Sequence, residues 1–333
     1  MGYFEEALSQ NWLKVYYQPI FNLYSKKICN FEAVSRWQEP GKPALKASRF
    51  IPVLERSGLV YQLDLHVLDH VCQLLNQRRA DNLPTVPVSI TLSPSDFNID
   101  GFIDQVLGIT QKYQIPHNMI QFDLMAQPVA VDQQRLKDAA ANLRKQGFRI
   151  CLDRYGGENN DLSTETLLEY NFDYLKVDVR SFNTNRQRAK IILGSVINMS
   201  RLLKIVPVVR GLRYTDFTLP TQAVDRPGRQ GVEDQAMLTQ GRLLAKEMPE
   251  EELSQERDNF ESVEERALFS GFNHINVLDP YLETRDRLDN NFENPRPNSI
   301  FIVQSQQAKL VYCNRAFRSW TGCAGMTKRS GNT

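Results

Sequence analysis

The run Ile28-Cys29-Asn30-Phe31-Glu32-Ala33-Val34-Ser35-Arg36-Trp37 decides how this chain is read. Apolar and polar side chains alternate well enough to predict a strand. Residues two apart on a strand point the same way, so Glu32, Val34 and Arg36 share one face. An acid and a guanidinium on one face suit a phosphate site, and equally a structural ion pair. The balance shifts toward a site because acids and bases recur at the ends of several later strands.

Working outward, a short helix over Phe4 to Gln10 precedes a strand from Trp12 to Gln18, ended by Pro19. After the Pro40 to Pro43 turn a helix opens at Ala47 or Ser48 and runs to Ser57-Gly58. Leu63, Val67, Leu68, Val71, Leu74 and Leu75 then form the apolar stripe of a second helix. Strands follow at Val86 to Leu92, Ile120 to Met125, Phe148 to Asp153, Tyr174 to Val177 and Ile205 to Val209. Between them lie helices around Phe102 to Leu107, over Gln133 to Gln146 closed by Gly147, at Leu167 to Tyr170, and over Arg188 to Leu203. This alternation predicts an α/β fold with a parallel sheet and outer helices. About seven strands before position 210 favour a closed TIM-like (β/α) barrel over an open sheet.

The remainder is less regular. Tyr214 to Gln230 is an excursion broken by Pro220, Pro227 and Gly228, and Met237 to Ala245 holds a last short strand. Pro249 to Phe269 is acidic with helical character, and Asn290 to Pro297 reads as a linker. Ser299 to Gln304 and Lys309 to Tyr312 predict a hairpin, followed by a helix over Asn314 to Trp320. The expected organisation is a barrel over 1–250, an acidic extension and linker over 251–297, and a partial module with a disordered tail over 298–333.

Composition narrows function by exclusion. Forty basic residues stand against 39 acidic ones, a formal charge of +1, so nothing global draws the chain to DNA, RNA or anionic lipid. No apolar run is long enough to insert in a membrane, and the N-terminus lacks the features of a signal peptide. The five cysteines form no C-x-x-C pair and read as free thiols, which with the rest predicts a cytoplasmic protein. His66 and His70 stand four apart on a helix, but with no further ligand motif nearby packing is the expected role. The acidic run Glu247 to Glu256 reads as a solvated helix face.

In a parallel barrel the chemistry gathers at the carboxyl ends of the strands. There stand Glu32 and Arg36, Thr91, Asp123, Asp153 with Arg154, Lys176 and Asp178, and Arg210 with Arg213. Four acids would suit hard divalent cations. Four bases set against them, Lys176, Arg154, Arg210 and Arg213, oppose a cation and favour direct capture of an anion by arginine forks.

These segments resemble the EAL domain family, which hydrolyses or binds cyclic di-GMP, over roughly Leu13 to Pro249. Tyr17-Gln18-Pro19-Ile20 resembles its first strand, Glu32-Ala33-Val34-Ser35-Arg36-Trp37 its signature strand, and Leu175-Lys176-Val177-Asp178 is intact. Phe50-Ile51-Pro52, Ser89-Ile90-Thr91-Leu92-Ser93-Pro94 and Gln240-Gly241 also fit. The departures fall on metal chemistry: Thr91 replaces an asparagine, Asp123 is a shortened ligand, Ala126 replaces an acid, and Arg154, Arg210 and Arg213 stand where the family carries acids. The resemblance thus implies a degenerate EAL barrel, often dimeric, with Glu32, Asp123 and Asp153 as vestigial metal positions and Lys176, Asp178 and Glu32 as vestigial catalytic ones.

Gln18, Glu32, Arg36, Asp153, Lys176, Arg210, Arg213 and Gln240 are the expected nucleotide contacts. No cofactor is implied unless residual phosphodiesterase activity calls for Mg or Mn. Asn298 to Gly322, above all Val311-Tyr312-Cys313-Asn314-Arg315-Ala316-Phe317, resembles the opening of a PAS module. The implied function is catalytically inactive signalling through a protein partner or a homodimer, with metal-free binding of cyclic di-GMP or with a dead pocket. The alternative is a weakly active, metal-dependent cyclic di-GMP phosphodiesterase.

Overall fold

A computed structural model describes residues 2–22, 25–125, 133–155, 167, 170–178, 180, 186–211, 238–241, 244–270, 299–304 and 307–313. The chain divides into two compact units, residues 1–216 with 236–274, and residues 217–235 with 275–333.

In the first unit α1 (Gly2–Ser9) leads to β1 (Leu13–Asn22), β2 (Lys27–Trp37) and the short β3 (Leu45–Lys46). Then come α2 (Ala47–Ser57), α3 (Val60–Ala80), β4 (Val88–Leu92), α4 (Phe102–Lys112), β5 (Ile120–Met125), α5 (Gln133–Lys145) and β6 (Arg149–Tyr155). β7 (Tyr174–Asp178), α6 (Arg186–Leu202), β8 (Val206–Arg210), β9 (Leu238–Gln240), β10 (Met248–Pro249) and α7 (Val263–Ser270) complete it. Hydrogen bonding runs β1-β9-β8-β7-β6-β5-β4-β2, and β1 also pairs with β2, which closes the ring. From β2 round to β9 every neighbour is parallel, while β1 runs antiparallel to both β2 and β9. The result is an α/β barrel with one reversed strand.

The apolar stripe on α3 is buried as its spacing predicts, at Leu63, Val67, Leu68, Val71, Leu74 and Leu75. Gly58 ends α2 at φ +68, where a β-carbon would be strained, and Gly147 follows α5 at φ +100. Pro19, expected to end β1, lies inside it. The neighbouring strands explain this. β10 covers Tyr16 and Tyr17 and β9 covers Phe21 and Asn22, so Pro19 faces the gap between them and its missing N–H breaks no bond on that side.

The chain after β10 returns to the amino end of the barrel. Phe260 bridges Ile28, the Glu261 N–H donates to the Ile28 carbonyl at 2.9 Å, and Arg266 donates to the Thr85 carbonyl at 2.7 Å. Lys27 pairs with Glu265 at 2.8 Å, and Arg78 lies over the Phe260 ring. The Tyr17 hydroxyl is buried here without a partner. Beyond β4, the Ser93 N–H donates to both Asp64 and Asp96, at 3.1 and 3.0 Å, and the Ser93 hydroxyl donates to Glu55. Burial raises both aspartates: Asp64 is pushed up to about 7 although its hydrogen bond with Asp96 pulls it down, and Asp96, raised further by Asp64, lies well above its ordinary value.

Within the second unit the predicted hairpin is present as β11 (Ser299–Gln304) and β12 (Gln307–Cys313), antiparallel with a register shift between Ile300 and Phe301. The helix expected over Asn314 to Trp320 and the excursion Tyr214 to Gln230 lie outside the described residues. No described helix is long and apolar enough to cross a membrane.

Candidate functional site

The barrel interior is polar, and its side chains form one connected network. Alternation on β2 and β5 turns Asn30 with Glu32, and Gln121 with Asp123, to the inside. Asn30 donates to the Gln121 carbonyl oxygen at 3.3 Å, and the Gln121 amide donates to Asp123 Oδ1 at 2.8 Å. The other oxygen, Asp123 Oδ2, accepts from the Lys176 ammonium on β7. Lys176 also donates to Glu32 Oε2 at 2.8 Å and to Ser89 Oγ at 3.2 Å. Gln240 on β9 donates to the same Glu32 oxygen at 2.9 Å, and its own side-chain oxygen, Oε1, is buried without a partner. The side chains of Lys176 and Asp123 are both 0% exposed.

Charges in this centre are set against burial. Burial alone would raise Glu32, but Lys176, Arg210 and the Gln240 amide outweigh it and hold the carboxyl well below its ordinary range. Asp123 goes the other way: burial, with Glu32 and Asp153 close by, raises it despite Lys176. Burial opposes charge on Lys176 too, yet the surrounding carboxylates raise it and keep it protonated.

A second cluster lies at the strand ends. Arg210 on β8 donates to Asp153 Oδ1 at 2.5 Å and stands 3.9 Å from Asp178 Oδ2. The acids around it raise Arg210 against the cost of burial. Arg154 adopts φ +58 at a register shift in β6, its N–H donating to Asp153 Oδ1 at 2.8 Å and its guanidinium 3.7 Å from Asp153 Oδ2. Arg180 donates through Nε to both oxygens of Asp178, at 2.8 and 3.0 Å. That pair holds Asp178 below its ordinary value although burial pulls upward. Gly211, at φ +85, lets the pair approach: a β-carbon there would lie 2.6 Å from Asp178 Oδ1.

Arg36 does not pair with Glu32, its neighbour on the strand face. It meets Glu247 at 2.5 Å, and the ring of Tyr16 lies under its guanidinium. Glu247, expected on a solvated helix face, therefore lies in the approach to β10 with its side chain 17% exposed. Gln18 stands opposite Glu32 across β1 and β2, and Thr91, one residue before the end of β4, is half-buried beside Asp123 in register. Arg213 and Ala126 lie outside the described residues. Arg180 and Glu247 are the two charged side chains here that the sequence did not single out. The signal for Arg180 was its position two residues after Asp178, where a carboxylate accepts from the backbone of the next turn, here at 3.0 Å.

His66 and His70 stack with ring centroids 4.6 Å apart, and His66 Nε2 lies 3.2 Å from the Leu13 carbonyl, which is packing. Among the described residues no group of three or more His, Cys, Asp or Glu side chains is arranged to hold a metal ion. Cys29, Cys72 and Cys151 are buried free thiols.

Comparison with known proteins agrees with the barrel. An uncharacterized signaling protein of Caulobacter vibrioides is 28% identical over 229 residues, 68% of this chain and 27% of that protein. The chain thus spans about a quarter of that relative's length. The solved PaMucR phosphodiesterase, a c-di-GMP complex, superposes with a TM-score of 0.64 at 19% identity, covering 75% of this chain and 97% of that one. The Xanthomonas citri FimX EAL domain in complex with c-diGMP gives 0.62 at 17% identity, covering 74% and 92%. At these identities the structures establish the fold alone. The model of the EAL domain matches residues 3–213, more than half of the sequence, and the chain belongs to the EAL domain family.

Proposed function

We propose that this barrel is a non-hydrolytic EAL signalling domain that acts through contact with a protein partner or a second copy of itself and holds cyclic di-GMP without a metal ion. One observation carries the proposal: cationic side chains occupy the carboxylates. Lys176 lies between Glu32 and Asp123, and Arg210 holds Asp153. A divalent ion would need these same oxygens. Its entry would place like charge against a buried ammonium and a buried guanidinium, so the carboxylates do not fit such an ion.

The same arrangement suits an anion. Arg154 and Arg180 keep 56% and 50% of their side chains exposed, and a guanidinium fork grips phosphate oxygens directly. Gln18, Glu32, Arg36, Asp153, Lys176, Arg210, Arg213 and Gln240 are the proposed contacts. Cyclic di-GMP is the proposed ligand because the PaMucR and FimX barrels are complexes with it. Residues 251–297 are read as an acidic extension and 298–333 as the start of a PAS-like module, a reading the β11–β12 hairpin supports.

Calorimetric titration of the full chain with cyclic di-GMP, with and without Mg2+ or Mn2+, together with an assay for the linear product, tests this. The expected result is binding that needs no metal, is weakened by Arg36→Ala, and proceeds without turnover. Metal-stimulated turnover that disappears in Glu32→Gln would establish the weakly active phosphodiesterase instead.

A further inference from the structure

We infer that Glu247 is a built-in competitor for Arg36, an intrachain carboxylate occupying the position of a ligand phosphate and setting how tightly the cleft binds a phosphodiester. The inference rests on the proposed metal-free binding of cyclic di-GMP and goes beyond it by assigning the control of affinity to a residue outside the barrel strands.

Arg36 is the last residue but one of β2, and its NH2 group donates to Glu247 Oε1 at 2.5 Å while NH1 donates to the Ser35 carbonyl at 3.1 Å. Both side chains are mostly covered, 11% and 17% exposed, so solvent screens the pair weakly. Tyr16 on β1 lies under the guanidinium at 5.9 Å, and β1 also carries β10 in register at Tyr16 and Pro249, two residues beyond Glu247. The strand pairing therefore fixes the carboxylate against the guanidinium. A phosphate arriving at Arg36 must either displace Glu247 or lie beside it, and two anions sharing one fork repel each other. Charge complementarity at Arg36 is satisfied inside the chain before any ligand arrives. The cleft then favours a phosphodiester only when its remaining contacts exceed what Glu247 already supplies.

The test is calorimetric titration of the full chain and its variants with cyclic di-GMP at fixed ionic strength. Glu247→Gln keeps an oxygen acceptor for Arg36 and removes the charge, and it is expected to tighten binding roughly five- to ten-fold. Glu247→Asp, which keeps the charge, is expected to bind as the native chain does. In an Arg36→Ala background Glu247→Gln is expected to bring no gain. A gain that persists without Arg36, or native binding that Glu247→Gln leaves equal or weaker, overturns the inference and leaves the metal-free reading standing. Absence of binding in the native chain and in Glu247→Gln alike ends both.

Discussion

Replacing Lys176 by methionine tests the arrangement on which the cleft depends. The ammonium is 0% exposed and contacts Glu32, Asp123 and Ser89, so no water can take its place without a rearrangement of β2, β4, β5 and β7. Methionine matches the length of the side chain and removes the charge, leaving two carboxylates buried near each other. Breaking a buried ion pair by removing one partner costs about 3–5 kcal/mol. For a domain of this size each kcal/mol lowers the melting temperature by about 2–4 °C, so a fall on the order of 10 °C is expected.

Thermal denaturation followed by circular dichroism reads the loss, and pH identifies its cause. Glu32 is depressed in the native chain, so its contribution is present above the ordinary carboxylate range and fades as pH falls through the lowered value. In Lys176→Met both carboxyls are instead raised by burial, and the variant regains stability as they protonate. The gap to the native chain should narrow between about pH 8 and about pH 5. Adding Asp123→Asn to Lys176→Met should recover much of the loss, since it removes one of the stranded charges. A melting temperature within about 2 °C of native at neutral pH, or a gap that does not change with pH, would refute the description of Lys176 as the cation of the barrel interior.

Other substitutions probe separate parts of the same account. Gly211→Ala combines a positive φ with a β-carbon 2.6 Å from Asp178 Oδ1, so a loss of about 2 kcal/mol or more in denaturant unfolding is expected. Tyr17→Phe removes a buried hydroxyl that has no partner, and the melting temperature should hold or rise; a marked fall would mean the hydroxyl is satisfied. Asp64 and Asp96 are both raised, so the stability their neutral forms supply is fully present below the ordinary carboxylate range and is lost as pH rises toward the raised values, about 7 for Asp64. Asp96→Asn fixes the neutral form, and its melting temperature should decline less than that of the native chain between about pH 4 and about pH 7.

Much of the barrel was legible because its signals are local. The stripe on α3 repeats at three and four, and the run Ile120–Met125 is a strand with those bounds. Pro19 misled because its cost depends on which strands flank β1, a fact of pairing more than 200 residues away in sequence. The site divided in the same way. Positions ending strands could be collected from the sequence, but their partners could not, since Lys176 reaches 144 residues back to Glu32 and Arg36 reaches 211 residues forward to Glu247. Glu247 was masked by the acidic residues after it. Arg180 was masked by its place beyond a strand end, where a charged residue ordinarily meets solvent.

The basic side chains in the cleft act together. Glu32, Asp123, Asp153 and Asp178 carry four formal negative charges, and Lys176, Arg154, Arg180 and Arg210 carry four positive ones. The three guanidinium groups supply positive charge to acids that would otherwise call for a divalent cation. On the proposed reading, exchange of ions for side chains preserves the electrostatic balance that buried carboxylates require. It does not preserve chemistry. A metal ion binds water and lowers its pKa toward neutrality, whereas a guanidinium or ammonium only donates hydrogen bonds. The cleft would therefore keep its attraction for a phosphodiester while losing the source of an attacking hydroxide, and binding and hydrolysis, joined in a metal site, become separable properties of this barrel.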